Sequence, residues 1–398
     1  MLLVLFQSMV SVGDTYFVGR LGTEPLAALA LVFPLIMLLQ MTSAGAMGGG
    51  VSSAIARALG SGRAAAARKL VVHALVIAVA MGVGFTALIL LLGESIYHLL
   101  GGRGETLGNA LRYSNIVFGG AIAVWVANTL SSVLRGSGNM HTPAFTLISA
   151  AVVHLPLSAT LVGRIGIAGM VMAAIVFRRS SALRPHREDW TLEWRLFREI
   201  LRVGAISMLS SAQTVLTAVI ITGFVGRYGA AALAGYGVGL RLELLQIPLV
   251  FAVGQALVVL VGTHVGAGRP ERAKEIAWVG AALAASISLA IGATVWAFPL
   301  AWVGLFSTDA AVLNAGTQYL RTVAPFYPFL AVGIALYFAS QGAGDVLRPM
   351  LAGTARLALV IAGGLVIVSL QGVFAVIAAA MIAFGALTIW FVASARWK

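Results

Sequence analysis

Apolar runs of membrane-crossing length recur along the chain, separated by short breaks in which Gly and Arg cluster. The runs at 1–19, 25–57, 70–93, 107–134, 143–163, 166–177, 200–226, 230–264, 276–305, 311–340, 349–369 and 372–395 predict twelve transmembrane helices. Their length favours helices over an outer-membrane barrel, whose strands would alternate in polarity. The first run lacks the charged start and small-residue cleavage site of a signal peptide and carries Asp14, so it reads as a span. The longest polar stretch is Arg178–Arg202. Within it Trp190, Trp194, Phe197 and Leu201 recur at helical spacing, with Arg195, Arg198, Glu199 and Arg202 around the rest of the turn. That pattern predicts an interfacial or solvated helix joining two halves.

The breaks repeat. Phe17-Val-Gly-Arg-Leu-Gly22 returns as Phe224-Val-Gly-Arg-Tyr-Gly229, and Gly60-Ser-Gly-Arg63 as Gly266-Ala-Gly-Arg269. Gly136-Ser-Gly-Asn139 returns as Gly342-Ala-Gly-Asp345, each followed by a proline, Pro143 and Pro349. The register holds to within one residue, so the chain reads as two six-helix halves. An even number of spans returns the chain to the side it started from, so the halves are parallel repeats about an axis along the membrane normal. Two such lobes can enclose a cleft and rock to open it on alternate sides. The expected fold is an all-α polytopic membrane protein of about twelve helices. The expected division is a first lobe at 1–177, a cytoplasmic linker at 178–199 and a second lobe at 200–398. The repeat also marks the first lobe as short at span one and at span six. Gly166–Phe177 would cover roughly 18 Å, against about 30 Å of hydrocarbon. A truncated homologue that does not transport therefore stands as one alternative.

Composition narrows the chemistry. The 398 residues are 60% hydrophobic and only 10% charged, with a mean hydropathy of +0.99, which leaves no surface for a soluble fold. Cysteine is absent, which excludes disulfides and thiolate metal sites. No Lys stands in a phosphate-cradling glycine loop, and no paired-histidine zinc motif occurs, so neither a nucleotide-hydrolysing motor nor an enzyme is expected. The net charge of +13 lies between the apolar runs and not on one soluble face, which argues against nucleic acid. Arg and Lys crowd the even-numbered breaks, as at Arg57, Arg63, Arg68 and Lys69, whereas the odd breaks carry only Arg20, Arg103, Arg164 and Arg227. That bias places both termini in the cytoplasm of a multi-pass plasma (inner) membrane protein, its basic loops facing anionic lipid.

Ionisable groups inside spans are functional suspects. Gln7, Ser11 and Asp14 share one helix face, and Asp14 is the expected site of proton or cation coupling. A carboxyl held away from water can exchange a proton near neutral pH. Gln40, Asn115, Asn128 and His154 are candidates for a supporting polar network in the first lobe, though each could equally be a helix–helix hydrogen bond. Arg241 and Glu243 stand two apart, so each should pair elsewhere, as structural or gating charges. Arg356, near a span end, reads as a snorkelling residue.

Three segments carry a resemblance to a known family. Asp14-Thr-Tyr-Phe-Val-Gly-Arg-Leu-Gly22 with Pro25, Leu134-Arg-Gly-Ser-Gly-Asn139, and Gly239-Leu-Arg-Leu-Glu243 with Pro248 resemble the multidrug and toxin extrusion (MATE) family. The resemblance implies a cation-coupled antiporter that exports bulky, amphipathic, often cationic compounds, with no cofactor beyond H+ or Na+ as coupling ion. Partners would be those substrates and membrane lipids, and the chain would act as a monomer. Of the acids and the helix-five Asn such transporters carry, only the first-helix Asp14 is matched; Ala151 stands at the Asn position, and Leu155, Gln213–Thr214 and Leu330 occupy the acidic ones. Proton coupling is therefore preferred to sodium, which needs an oxygen cage. Export of a lipid-linked or anionic metabolite on the same fold is a further alternative.

Overall fold

The structure, a computed structural model, describes residues 23–143, 145, 183 and 185–397. Spans one, five and six of the sequence reading lie largely or wholly outside the described residues, as do Gln7, Ser11, Asp14 and His154. Every regular element among the described residues is helical. In hydrocarbon a helix satisfies its own backbone, and that requirement fixes the class of fold.

In the first half, α1 (Thr23–Gln40) passes through a π-helical turn (Met41–Met47) into α2 (Gly48–Gly60). Thr42 and Ser43 in that turn donate back to the Leu38 and Leu39 carbonyls, each at 2.7 Å. They supply backbone oxygens with a donor where the helical ladder is interrupted. α3 (Ala64–Leu99) crosses next. α4 (Gly104–Gly119) and α5 (Ala121–Gly136) form one span bent by 45°. The bend falls on Gly119-Gly120, where no side chain resists it.

After the short 3-10 turn Arg187–Trp190, α6 (Trp194–Gly226) opens the second half. There follow α7 (Ala230–Gly266), α8 (Pro270–Ala297), the short α9 (Pro299–Val303), α10 (Ala310–Val323), α11 (Tyr327–Ala343), α12 (Leu347–Val366) and α13 (Leu370–Ser394). Eight helical segments among the described residues are long and apolar enough to cross a membrane, and the bent pair makes a ninth. The chain is a multi-pass membrane protein.

The stretch read as a linker helix is the start of α6. Between Trp194 and Val203 there is no Gly or Pro to stop it, so linker and span seven form one 33-residue helix. The chain divides into two compact units between Met208 and Leu209, within this helix.

The repeat seen in the sequence is present in the packing inside each unit. Gly62 and Gly268 both turn the chain with positive φ, +73° and +70°, as do Gly138 and Gly344, +85° and +80°. Gly136 on α5 lies against the Ser52 backbone of α2, and Gly342 on α11 lies against the Val258 backbone of α7. Gly48 faces Ser132 in the first unit, and Gly254 faces Phe338 in the second. All four pairs obey the spacing of 206 residues that the motifs set. At Gly136 and Gly342 the missing side chain lets two backbones approach, and at Gly48 and Gly254 it makes room for a neighbouring side chain, where no hydrophobic effect drives helices together.

This predicts an asymmetric response to enlarging glycines. Gly342→Leu should lower the thermal midpoint and the membrane yield, at a cost of about 1–3 kcal/mol or more for forcing methylenes into a packed site. Gly223→Ala, where an added Cβ meets nothing within 4 Å, should leave both unchanged. Fluorescence-detected melting of the detergent-solubilised variants provides the comparison.

Candidate functional site

In the second unit Gly235, Gly239 and Glu243 stand four apart on α7 and share one face. The two glycines open a groove for α10. A Cβ on Gly235 would strike the Gly316 backbone, and one on Gly239 would strike the Tyr319 ring. Tyr319 therefore lies flush on α7, and its hydroxyl donates to Glu243 Oε1 one turn further along. Glu243 is 7% exposed and Tyr319 is fully buried. The Tyr236 ring meets Tyr319 edge-on at 5.3 Å, and Phe374 closes the other side at 5.1 Å. A buried carboxyl beside aromatic walls keeps its charge only if donors or cations answer it. Tyr319 is the donor. Arg356 on α12 is the cation whose charge acts on Glu243 without a direct ion pair.

Arg356 corrects the reading of it as a snorkelling side chain. Its Nε is buried and its guanidinium lies 5.9 Å from the centre of the Phe384 ring. Phe384 on α13 gives the guanidinium a ring to lie against inside the unit. Arg241, on the same helix as Glu243, points elsewhere, as the two-residue spacing requires. It sits 5.0 Å from the centre of the Phe306 ring and lines a cavity of about 350 Å³ with Gly237, Val238 and Ser307.

Of the first-unit candidates the structure joins two. Asn128 Nδ2 donates to Gln40 Oε1 at 3.2 Å and to Ser43 Oγ at 2.8 Å, linking α5 to α1 and to the π-helical turn. Asn115 is exposed on α4 and makes neither bond. The repeat sets Gln246 opposite Gln40, and Ile334 where Asn128 stands. Gln246 is buried and lines a small cavity with Ser288 and Tyr327. Gln213, where the family resemblance calls for an acid, donates to Thr354 at 2.8 Å. Sequence reasoning missed Tyr319 as the partner of Glu243 and Tyr236 as the ring packed beside it. The available signal was the Gly-x-x-x-Gly-x-x-x-Glu spacing on α7, which marks a face stripped for a neighbouring ring.

Tyr319→Phe tests this arrangement. Leaving a buried acceptor without its donor costs about 1–3 kcal/mol, so the thermal midpoint should fall. In a Glu243→Ala background the same change should cost far less, giving a coupling energy in the double-mutant cycle. Equal losses in both backgrounds would show that the hydroxyl does not serve Glu243.

Comparison with known proteins places this architecture. The MatE family model matches residues 1–160 and again 207–366, two segments separated by the repeat spacing. The "Probable multidrug resistance protein NorM" of Thermotoga maritima is 25% identical over 366 residues, covering 87% of this chain and 78% of the relative. The "FAD transporter" of Shewanella oneidensis is 27% identical over 358 residues, covering 83% and 76%. Among solved structures, a MOP superfamily transporter from Pyrococcus furiosus superposes with a TM-score of 0.89 at 22% identity, covering 98% of this chain and 92% of its own. A multidrug resistance MATE family transporter in an outward-facing conformation superposes with a TM-score of 0.88 at 21% identity.

Proposed function

As the chain belongs to the MatE family of membrane transporters, we propose that it is a secondary active antiporter exporting amphipathic, often cationic drugs or toxins in exchange for protons. The observation that carries the reading is the duplicated unit. Two units built on the same glycine contacts are the parts that alternating access needs. We place the transporter in the plasma (inner) membrane with both termini cytoplasmic, on the Arg and Lys bias of its loops.

Asp14 is the proposed coupling residue. It is an acidic group in an apolar run, at a spacing from Gln7 and Ser11 that would put the three on one face of a helix. Protonated from the outer side, Asp14 loses a charge that the membrane interior penalises, and span one can repack against its lobe and expel substrate. Deprotonated towards the cytoplasm, it restores the pocket. Drug and proton exchange because each favours a different state of the same lobe. Glu243 serves a structural role in this scheme, since its tyrosine donor and its burial hold it in one place.

Asp14→Asn fixes the side chain in a neutral form with almost no change of volume. Membrane yield, read by immunoblot, should match the parent. Ethidium efflux at matched yield should fall to the level of membranes without the protein. Unimpaired efflux would remove Asp14 from the mechanism and shift attention to His154 and Glu243.

A further inference from the structure

The segment ahead of α6 is fastened to α3 by a histidine that can hold it in only one protonation state. His73 on α3 is fully buried. Its Nδ1 lies 2.7 Å from the Lys69 carbonyl oxygen, and its Nε2 lies 2.8 Å from the backbone nitrogen of Glu193. A carbonyl can only accept and an amide N–H can only donate. Nδ1 must therefore carry the hydrogen, and Nε2 must be a bare lone pair. The ring is neutral, with one defined tautomer, and both nitrogens are used. Phe197 packs edge-on against it at 4.5 Å, so the ring cannot turn away without losing that contact.

Ion pairs flank this bond. Lys69 Nζ donates to Glu193 Oε1 at 2.6 Å, Arg68 Nε to Asp189 Oδ2 at 3.1 Å, and Arg57 Nη2 to Glu199 Oε1 at 3.4 Å. Leu183, Leu196 and Ile200 are buried in the core of the first unit and anchor the segment on both sides.

We propose that His73 is a pH-sensitive latch: neutral, it holds the segment around Glu193 against α3, and protonation at Nε2 sets two donors face to face and releases that segment. The charged groups around the latch are Lys69 and Arg68 on the same helix as His73, Arg57 on α2 and Arg195 on α6. The carboxylates of Glu193, Asp189 and Glu199 are each engaged by one of those cations.

Two of these carboxyls, Glu193 and Asp189, lie below the ordinary carboxylate range. The Lys69 ammonium holds Glu193 below the ordinary glutamate range. Burial pushes Asp189 up, but the His186 amide and the Arg68 guanidinium outweigh it and leave the carboxyl low. Stability from these depressed carboxyls is lost only as pH falls through their own lowered range, below the window at issue. His186 stands 3.6 Å from Asp189. The group whose protonation removes a hydrogen bond to the segment is His73, because a proton on Nε2 would occupy the lone pair that the Glu193 amide uses.

The chain has no cysteine, so Trp190→Cys, at an exposed position, carries one nitroxide label in the full-length protein in nanodiscs. The label should be immobilised at pH 7.5 and gain a several-fold larger mobile component at pH 5.5. His73→Gln should abolish the pH response. Glu193→Gln, which keeps the amide and removes only the charge, should retain it. No response in the parent, or an equal response in His73→Gln, overturns the latch. If His73→Gln is not recovered from membranes, Glu193→Pro takes its place, because it lacks the amide hydrogen. A label mobile at both pH values supports the proposal, and a retained pH response or retained immobility overturns it.

Discussion

A helix in hydrocarbon gains nothing by hiding apolar side chains from lipid, because the lipid is as apolar as the neighbouring helix. Helices must be held together by close backbone approach and by polar groups that find one another inside. In each unit glycines provide the first of these at matching positions. Gly136 rests on Ser52 as Gly342 rests on Val258, and Gly48 meets Ser132 as Gly254 meets Phe338. The positive-φ glycines at the turns, 62 with 268 and 138 with 344, keep the spacing between those contacts. Polar chemistry is placed on this frame afterwards.

That order explains why the two units share packing but not charge. The repeat sets Glu243 opposite Met37, Arg241 opposite Leu35 and Arg356 opposite Ala150. The second unit has a buried carboxyl and an inward arginine where the first has apolar residues, whereas the tyrosine donor Tyr319 has a counterpart in Tyr113. The first unit keeps an amide pair, Gln40 with Asn128, whose counterpart is Gln246 with Ile334. Backbone approach tolerates no extra atom, whereas a polar pair can be placed or lost at one contact at a time. A transporter whose lobes differ in charge can assign ion coupling to one and structural rigidity to the other.

Much of the frame was legible in the sequence because its signals are local. Span length and hydropathy are read residue by residue, and Gly-x-Gly-Arg turns need glycine at fixed places for backbone reasons. The break at Gly119-Gly120 and the unbroken start of α6 follow the same logic, although the linker pattern was read as a separate helix until the absence of a stop before Gly204 joined it to the span. The site was less legible. Tyr319 and Glu243 are 76 residues apart, and only the groove made by Gly235 and Gly239 brings them together. Arg356 lies near a span end, where snorkelling is the natural expectation, but its guanidinium lies by the Phe384 ring of another helix. His73 gave no sequence signal at all, since its role depends on one backbone amide beyond the end of the first half.

The central claim is that this duplicated frame exports amphipathic compounds at the expense of a proton gradient. The most direct test is ethidium transport in proteoliposomes of the purified full chain, with pH and sodium gradients imposed separately. Transport driven by the pH gradient in sodium-free buffer, and absent when sodium alone is graded, is the result the account predicts. Transport driven by sodium with no pH difference, or none under either gradient, would contradict it.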